Sequence, residues 1–160
     1  MSAPHAAKLG ARLARKGSTV SVAESCTGGL LGAWLTSVSG SSSWFSGGVI
    51  SYSNDSKARI LGVSPRLLSA RGAVSEETAM AMAMGVRRLF STDYGVAITG
   101  IAGPGGATPG KPVGTVCIAV SSRRGIVCQR FLFPGARGEV RRAACRKAFE
   151  MLDERLGPVA

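Results

Sequence analysis

The sequence predicts a single α/β domain in which a mixed β-sheet is flanked by helices. Its 160 residues suit one domain, and a hydrophobic content of 45% is enough to bury a sizeable core. Segments with helical periodicity alternate with short strand-like segments along the chain, and the last two strand-like segments form a hairpin signal. These observations together favour one mixed sheet with helices packed against it.

The predicted elements follow one another with short connections and without an internal repeat or a domain linker. In chain order they are a helix over 4–16, a strand over 19–23, a helix from Thr27 to about Val38, a strand over 45–52, short helices at 57–61 and after Ser64-Pro65, a helix over 76–89, strands over 94–99, 113–121 and 126–133, and a helix over 137–156.

Local sequence signals set several of these boundaries. Gly17 ends the first helix, and Thr27 is expected to cap the second. Ser75 with Glu76 and Glu77 caps the clearest helix, which the alternating alanines and methionines make adaptable in packing. The turn Arg123-Arg124-Gly125 suits a hairpin between the last two strands.

Charge and cysteine content restrict the classes of function. The formal net charge is +11, which fits nucleic-acid binding, attraction of a small anionic substrate, or simply an arginine-rich surface. We rank nucleic acid lowest, because the basic residues are dispersed and no nucleic-acid motif is present. The four cysteines form no C-x-x-C pair, so no zinc site is expected. The N-terminal segment lacks the apolar stretch of a secretory signal, and no apolar run has the length of a membrane span, which predicts a cytoplasmic protein.

Three polar segments adjoin predicted strands and are the candidate sites. The first, Ala23–Gly29, links a strand to a helix, where unpaired backbone N–H groups suit an oxyanion or phosphate. The second combines 40–45 with 52–57 and contains Lys57. The third, 99–106, is a Gly/Pro loop whose N–H groups can form an anion nest, although it matches neither a Walker A motif nor a dinucleotide fingerprint.

Serine chemistry of the Ser-His-Asp type is not available to this chain. The only histidine, His5, lies in the N-terminal segment, so a lysine kept neutral by burial is the candidate base for a serine. From the residues alone, a solvated lysine beside a serine-rich surface loop is the favoured interpretation of the second segment.

Seven motifs occur in the order found in the CinA C-terminal family, and the chain resembles that family from about residue 8 to 155. They are A-E-S-C-T-G-G, G-S-S-S-W-F, Y-S-N-D-S-K, G-A-V-S-E-E, T-G-I-A-G-P-G-G, K-P-V-G-T-V and F-P-G-A-R-G-E-V-R-R. The domain that precedes this one in full-length relatives is not seen, so the chain resembles the stand-alone form, the nicotinamide-nucleotide amidohydrolases.

The resemblance implies hydrolysis of nicotinamide mononucleotide to nicotinate mononucleotide and ammonia, with no metal or organic cofactor. The implied partner is this small nucleotide, and subunits of such small domains can share pockets, so a homo-oligomer is left open. Two other classes of function also stay open. The chain could bind a nucleotide without turning it over, or act as an accessory protein in competence or DNA damage.

The resemblance places the nucleophile and base at Ser42 and Lys57, with Ser25 as the second choice of nucleophile or as a substrate ligand. Tyr52 could relay a proton or orient Lys57, or be an ordinary tyrosine at a strand end. Cys26 lies inside the first motif but is left out of the chemistry.

The remaining candidates would bind substrate. Glu24 could bind the ribose or support its turn, Thr99 could hold the carboxamide or ribose, and Arg141 is expected on the surface. The substrate-binding set is Glu24, Thr27, Thr99, Gly100, Gly103 and Arg137, in which the loop and Arg137 would recognise the phosphate.

Overall fold

A computed structural model describes residues 3–158, with side chains from residue 5 onward. Within this range a 3₁₀ turn at Ser41–Ser43 precedes the second strand. The helices and strands, in chain order, are α1 (Ala3–Arg15), β1 (Val20–Glu24), α2 (Leu30–Thr36), β2 (Phe45–Ile50), α3 (Asn54–Leu61), α4 (Pro65–Arg71), α5 (Glu76–Phe90), β3 (Tyr94–Gly100), β4 (Thr115–Ser122), β5 (Gly125–Leu132) and α6 (Arg137–Leu156).

The five strands form one mixed sheet in the order β2-β1-β3-β4-β5. Strand β1 pairs in parallel with both β2 and β3, whereas β4 is antiparallel to β3 and to β5. The carboxyl ends of β1, β2, β3 and β5 therefore lie at the same edge of the sheet. In open α/β sheets, binding sites form in the loops that follow these strand ends.

Alternation along the strands creates two cores, one on each face of the sheet. Helices α1, α2 and α6 cover a face of larger side chains, including Val22, Val96 and Ile118. Helices α3, α4 and α5 cover the opposite face, where Ala23, Ala97 and Ala119 lie side by side on neighbouring strands. This row of small side chains lets α5 approach the central strands closely.

Two glycines are required by that close approach. A Cβ added at Gly95 would lie 2.3 Å from the carbonyl oxygen of Ala83 on α5, and one added at Gly85 would lie 2.1 Å from that of Leu61 on α3. Both contacts are with backbone, which cannot move aside as a flexible side chain can. Helix α5 is thus fixed between the sheet and α3, and it holds α3 over the edge where the site lies.

The predicted fold class is confirmed, and most element boundaries agree to within a few residues. Helix α6 begins and ends where predicted, and the β4–β5 hairpin closes through Arg123 and Arg124 as expected. The largest differences are at α2, which begins at Leu30 rather than at Thr27, and at α3, which begins at Asn54 rather than at Lys57.

No helix within residues 3–158 is long and apolar enough to cross a membrane. Over the same residues, no group of three or more His, Cys, Asp or Glu side chains could hold a metal ion.

Candidate active site

Three strand ends and the start of α6 surround a cavity of about 260 Å³. Ser25 follows β1, Lys57 lies on α3 after β2, Thr99 is the last residue but one of β3, and Arg137 opens α6 after β5. Each reaches the cavity because its strand ends at the same edge of the sheet. The cavity is lined by Ser25, Cys26, Tyr52, Lys57, Ala73, Val74, Thr99, Gly100, Ile101, Ala102, Gly103, Gly105, Gly106 and Arg137.

A buried serine–lysine pair lies in this cavity. The Lys57 ammonium nitrogen Nζ is 3.0 Å from the Ser25 hydroxyl oxygen Oγ, a hydrogen-bonding distance. Ser25 is 8% exposed and Lys57 only 1%. The backbone N–H of Ser25 donates to Ile98 on β3 at 3.0 Å, which ties the turn after β1 to the central strand.

Two backbone carbonyls orient the lysine. Nζ lies 2.7 Å from the carbonyl oxygen of Ser51 and 3.4 Å from that of Tyr52. Burial lowers the pKa of Lys57 from its ordinary value, and the nearby Cys26 opposes this shift. In the neutral amine, two N–H groups can donate to the carbonyls. The lone pair is then directed to Ser25, which is the arrangement a general base needs.

Glu24 is the residue that shapes the turn after β1. Its carboxylate accepts hydrogen bonds from the backbone N–H groups of Gly29, Leu31 and Gly32, at 3.0, 3.1 and 2.8 Å. Its side chain is 2% exposed and lies outside the cavity lining. The prediction that Glu24 binds the ribose is therefore corrected. Glu24 instead supports the turn after β1, which is the alternative that the sequence left open.

Thr27 neither caps α2 nor faces the cavity. It is fully buried, and its hydroxyl has no hydrogen-bond partner among the described residues. The N-cap position of α2 belongs to Gly29, which provides no side-chain cap. The physical reason is that the Glu24 carboxylate already accepts from the first N–H groups of the helix. The predicted substrate-binding role of Thr27 is corrected accordingly.

The loop after β3 forms the opposite wall of the cavity. The Thr99 hydroxyl donates to the carbonyl of Ala73 at 2.7 Å, so its proton holds the α4–α5 connection in place. Gly100 and Gly103 both line the cavity. A Cβ at Gly103 would lie 2.6 Å from Val113, and its φ of +84° favours glycine.

Arg137 and Tyr52 meet at the mouth of the cavity. The Arg137 guanidinium donates to the Gly103 carbonyl at 2.8 Å and to the Tyr52 hydroxyl at 3.0 Å. Tyr52 is 60% exposed. Its hydroxyl therefore contacts Arg137 rather than Lys57, and it is the carbonyl of Tyr52 that helps to orient the lysine.

Ser42 lies away from this cavity, and the predicted Ser42–Lys57 pair is corrected. Ser42 is exposed in the 3₁₀ turn before β2, whereas Lys57 follows the other end of that strand. The six residues of β2 span about 20 Å, too far for a hydrogen bond. Sequence order placed both serines near a strand, but only strand direction reveals which end each occupies.

Two residues have positions that the sequence reasoning missed. Arg141, expected on the surface, is half-buried and donates to the Thr27 carbonyl at 2.8 Å. Its Nε is buried and has no hydrogen-bond partner within the part of the chain that the structure describes. Cys26 lines the cavity, but burial raises the pKa of its thiol to about 12, so the thiol stays protonated near neutral pH. For Arg141, the one signal in the sequence is its spacing, one helical turn after Arg137.

Fold and site define an α/β protein whose cavity lies at the carboxyl ends of parallel strands and contains a buried serine–lysine pair. Residues 2–156 match the family described as the CinA C-terminal domain. The chain belongs to this family.

Curated relatives carry general names. A "putative competence-damage inducible protein" of Desulforudis audaxviator is 57% identical over 133 residues, covering 83% of this chain and 32% of the relative. A "CinA-like protein" of Gemmatimonas aurantiaca is 50% identical over 147 residues, covering 92% of this chain and 34% of the relative. The chain thus spans about a third of the length of these relatives.

Solved structures share the whole fold. The competence/damage inducible protein CihA from Agrobacterium tumefaciens is 40% identical, with a TM-score of 0.93 over 97% of this chain and 94% of that one. A CinA superfamily protein from Enterobacter cloacae is 36% identical, with a TM-score of 0.92 over 96% and 90% of the two chains.

Proposed function

We propose that this protein is a nicotinamide-nucleotide amidohydrolase that uses Ser25 as nucleophile and Lys57 as base. The observation that carries the proposal is the 3.0 Å contact between Ser25 Oγ and a buried lysine whose pKa is lowered. A neutral amine can accept the serine proton, whereas a protonated ammonium group has no lone pair to do so. The substrate is taken from the motifs shared with the CinA C-terminal family, and the cavity chemistry is compatible with it.

In the first half of the reaction, Ser25 Oγ attacks the carboxamide carbon and its proton passes to Lys57 Nζ. The oxyanion that forms would be stabilised by the backbone N–H of Cys26, which follows the nucleophile in the turn, as in other strand-to-helix nucleophile turns. The C–N bond then breaks, and the Lys57 ammonium returns its proton to the departing nitrogen, which leaves as ammonia. The product is an ester between Ser25 and the nicotinoyl group.

In the second half, a water molecule replaces ammonia at the same position. Lys57, neutral again, takes a proton from this water as its oxygen attacks the ester carbon. The ester C–O bond breaks, and the proton returns from Lys57 to Ser25 Oγ. Nicotinate mononucleotide is released as the acid, and every residue is back in its starting state.

The phosphate would bind at the mouth of the cavity. Arg137 is already positioned there by Gly103 and Tyr52, and the glycine loop at 103–106 offers close backbone approach. The start of α2 is a poor alternative, because Glu24 accepts from its first N–H groups and adds a negative charge. This orientation puts the carboxamide deep, next to Ser25, and the phosphate near solvent.

The test is ammonia release by the purified chain from nicotinamide mononucleotide, nicotinamide riboside, nicotinamide and a pyridine dinucleotide. We expect the mononucleotide to be preferred over the riboside. Arg137→Ala should narrow that preference by roughly 1.5–3 kcal/mol, the contribution of a charge-assisted hydrogen bond. Arg142→Ala, which removes an exposed arginine of the same helix, is the matched control.

Equal rates on nucleotide and riboside would remove the phosphate assignment. Tight binding of a pyridine nucleotide without ammonia release would instead favour a nucleotide-binding protein without catalysis. Loss of activity in EDTA, with recovery on adding zinc or magnesium, would contradict the serine–lysine mechanism.

A further inference from the structure

A second cavity of about 250 Å³ lies beside the first, and the proposed reaction does not use it. The two share Val74, which belongs to the α4–α5 connection that Thr99 holds in place. The lining of the second cavity includes Arg71, Glu76, Glu77, Lys111, Cys117 and Arg130. Three cationic side chains from three separate parts of the chain thus surround one space.

The cationic groups are held in place by backbone contacts rather than by acids alone. Lys111 Nζ donates to the carbonyl of Arg71 at 2.9 Å, which uses one of its three donors. Arg130 donates to the carbonyl of Gly110. Lys111 closes a tight turn with Thr108 through two backbone hydrogen bonds of 2.9 and 3.0 Å, so this one turn positions both cations.

The charge balance of the cavity is positive. Arg71 is paired with Glu77 at 3.3 Å, and these two largely cancel. Lys111 and Arg130 remain against the single carboxylate of Glu76, which is exposed in the first turn of α5. At the floor of the cavity, burial raises the pKa of Cys117 to about 11, so its thiol adds no negative charge near neutral pH.

We propose that this second cavity is a binding site for a phosphate-bearing anion, separate from the amide-hydrolysing pocket. The free donors of Lys111 and Arg130 are the recognition groups, because ammonium and guanidinium groups are the usual partners of phosphate. The anion is either free or the phosphate portion of a nucleotide that extends past Val74. The site does not depend on the proposed reaction, since none of its cations touches the Ser25–Lys57 pair.

The experiment measures the dissociation constant of inorganic pyrophosphate for the full chain by calorimetry at fixed ionic strength. Lys111→Met and Arg130→Gln should each raise the dissociation constant about tenfold or more. Lys111→Arg should restore most of the affinity. Glu76→Gln should lower the dissociation constant, because it removes the carboxylate that repels the anion.

Arg123→Gln is the matched control, because it removes one exposed charge from the β4–β5 turn and leaves the cavity intact. If it weakens binding as much as Arg130→Gln does, pyrophosphate responds only to the overall charge of +11 and the proposal fails. The proposal also fails if Arg137→Ala alone abolishes binding, since the anion would then lie in the first cavity. Melting temperatures of all variants show whether they fold.

A second arm separates the two sources of phosphate. Pyrophosphate that binds equally well with and without saturating nicotinamide mononucleotide identifies a site for a free anion. A pyridine dinucleotide whose affinity falls in both Arg137→Ala and Lys111→Met identifies a ligand that spans the two cavities. Either result supports the site, and insensitivity of both ligands to Lys111→Met and Arg130→Gln overturns it.

Discussion

The turn at Ser25 and the loop at Ser42 look alike as sequence but differ in every property that catalysis needs. Both place serines beside a strand and carry glycines nearby. Ser25 is buried, is hydrogen-bonded to Lys57 and lies where three parallel strands end. Ser42 is exposed in a 3₁₀ turn before β2, and the neighbouring Ser43 hydroxyl donates a hydrogen bond to the local carbonyl of Gly40.

The difference shows that strand direction decides which serine can be activated. The chain must cross β2 between Ser42 and Lys57, so the two residues close in sequence are separated by the length of a strand. Ser25 is 32 residues away from Lys57 in sequence, yet contacts it because β1 and β2 are parallel neighbours. In the proposed mechanism, a serine is selected as the nucleophile by its position on the sheet rather than by its surrounding motif.

The largest expected effect tests this comparison directly. Ser25→Ala should lower kcat for nicotinamide mononucleotide by roughly 10³-fold or more, because it removes the attacking oxygen. Ser42→Ala should keep most of kcat, because its hydroxyl is not near the lysine. Steady-state ammonia release from both variants gives the answer. Loss of activity in Ser42→Ala with retention in Ser25→Ala would reverse the assignment.

Lys57 should show a loss almost as large. Lys57→Ala removes the base, and Lys57→Arg should be nearly as damaging, because a guanidinium stays protonated near neutral pH. The double variant Ser25→Ala/Lys57→Ala should be little worse than either single one, since the pair acts as a unit. In the unmodified protein, kcat/KM should rise with pH through the lowered pKa of Lys57, because only the neutral amine accepts the proton.

A rate that falls as pH rises through this range would contradict a lysine base. Full activity in Lys57→Ala would remove the pair altogether and favour a directly activated water.

Most of the fold could be predicted from local patterns. Helix α5 is a long periodic segment capped by the Ser75 side chain, and the hairpin has a short turn with glycine, so the boundaries of both follow from nearby residues. The start of α2 could not be predicted in this way. Its cap comes from Glu24, whose carboxylate reaches helix N–H groups five to eight residues further on.

The sequence indicated part of the cavity lining but not which side chains pair within it. Lys57, Ser25, Thr99 and Arg137 were all singled out, and all four line one cavity. Their mutual distances depend on strand order and direction, which no single segment contains. Arg141 was missed for the same reason, since its contact with Thr27 joins residues 114 apart.

A smaller effect on kcat is expected at Glu24, whose carboxylate distinguishes the Ser25 turn from an ordinary strand–helix connection. Glu24→Gln keeps the side-chain shape but replaces one acceptor oxygen by a donor, which faces at least one helix N–H. We expect about 1–3 kcal/mol less stability and a kcat lowered about tenfold, with KM little changed, because the nucleophile is less well positioned. Chemical denaturation and steady-state kinetics measure the two effects.

Thr36→Val is the control, since it removes an exposed hydroxyl hydrogen bond from the other end of α2. An unchanged kcat in Glu24→Gln would show that the Ser25 turn keeps its shape without the carboxylate.

The smallest expected effect concerns stability and its pH dependence, and it compares Lys57 with an exposed lysine. The folded protein lowers the pKa of Lys57, so the folded state favours the neutral amine while the unfolded chain keeps the ordinary pKa. Between those two values the unfolded state binds more protons, and the free energy of unfolding must therefore rise with pH. Below the lowered pKa both states are protonated, and burial of the ammonium disfavours folding throughout that range.

Lys57→Met removes the titrating group while keeping much of the apolar volume. This variant should therefore melt a few degrees above the unmodified protein near neutral pH, and the difference in melting temperature should shrink as pH rises toward 10.5. Lys8→Met, at an exposed position of α1, should show neither change. Thermal melts of the three proteins across this pH range provide the measurement. A Lys57→Met variant that is less stable than the parent at every pH would mean that the contacts of Nζ with Ser25 and Ser51 outweigh its desolvation, and the lysine would then be held as an ammonium rather than as a base.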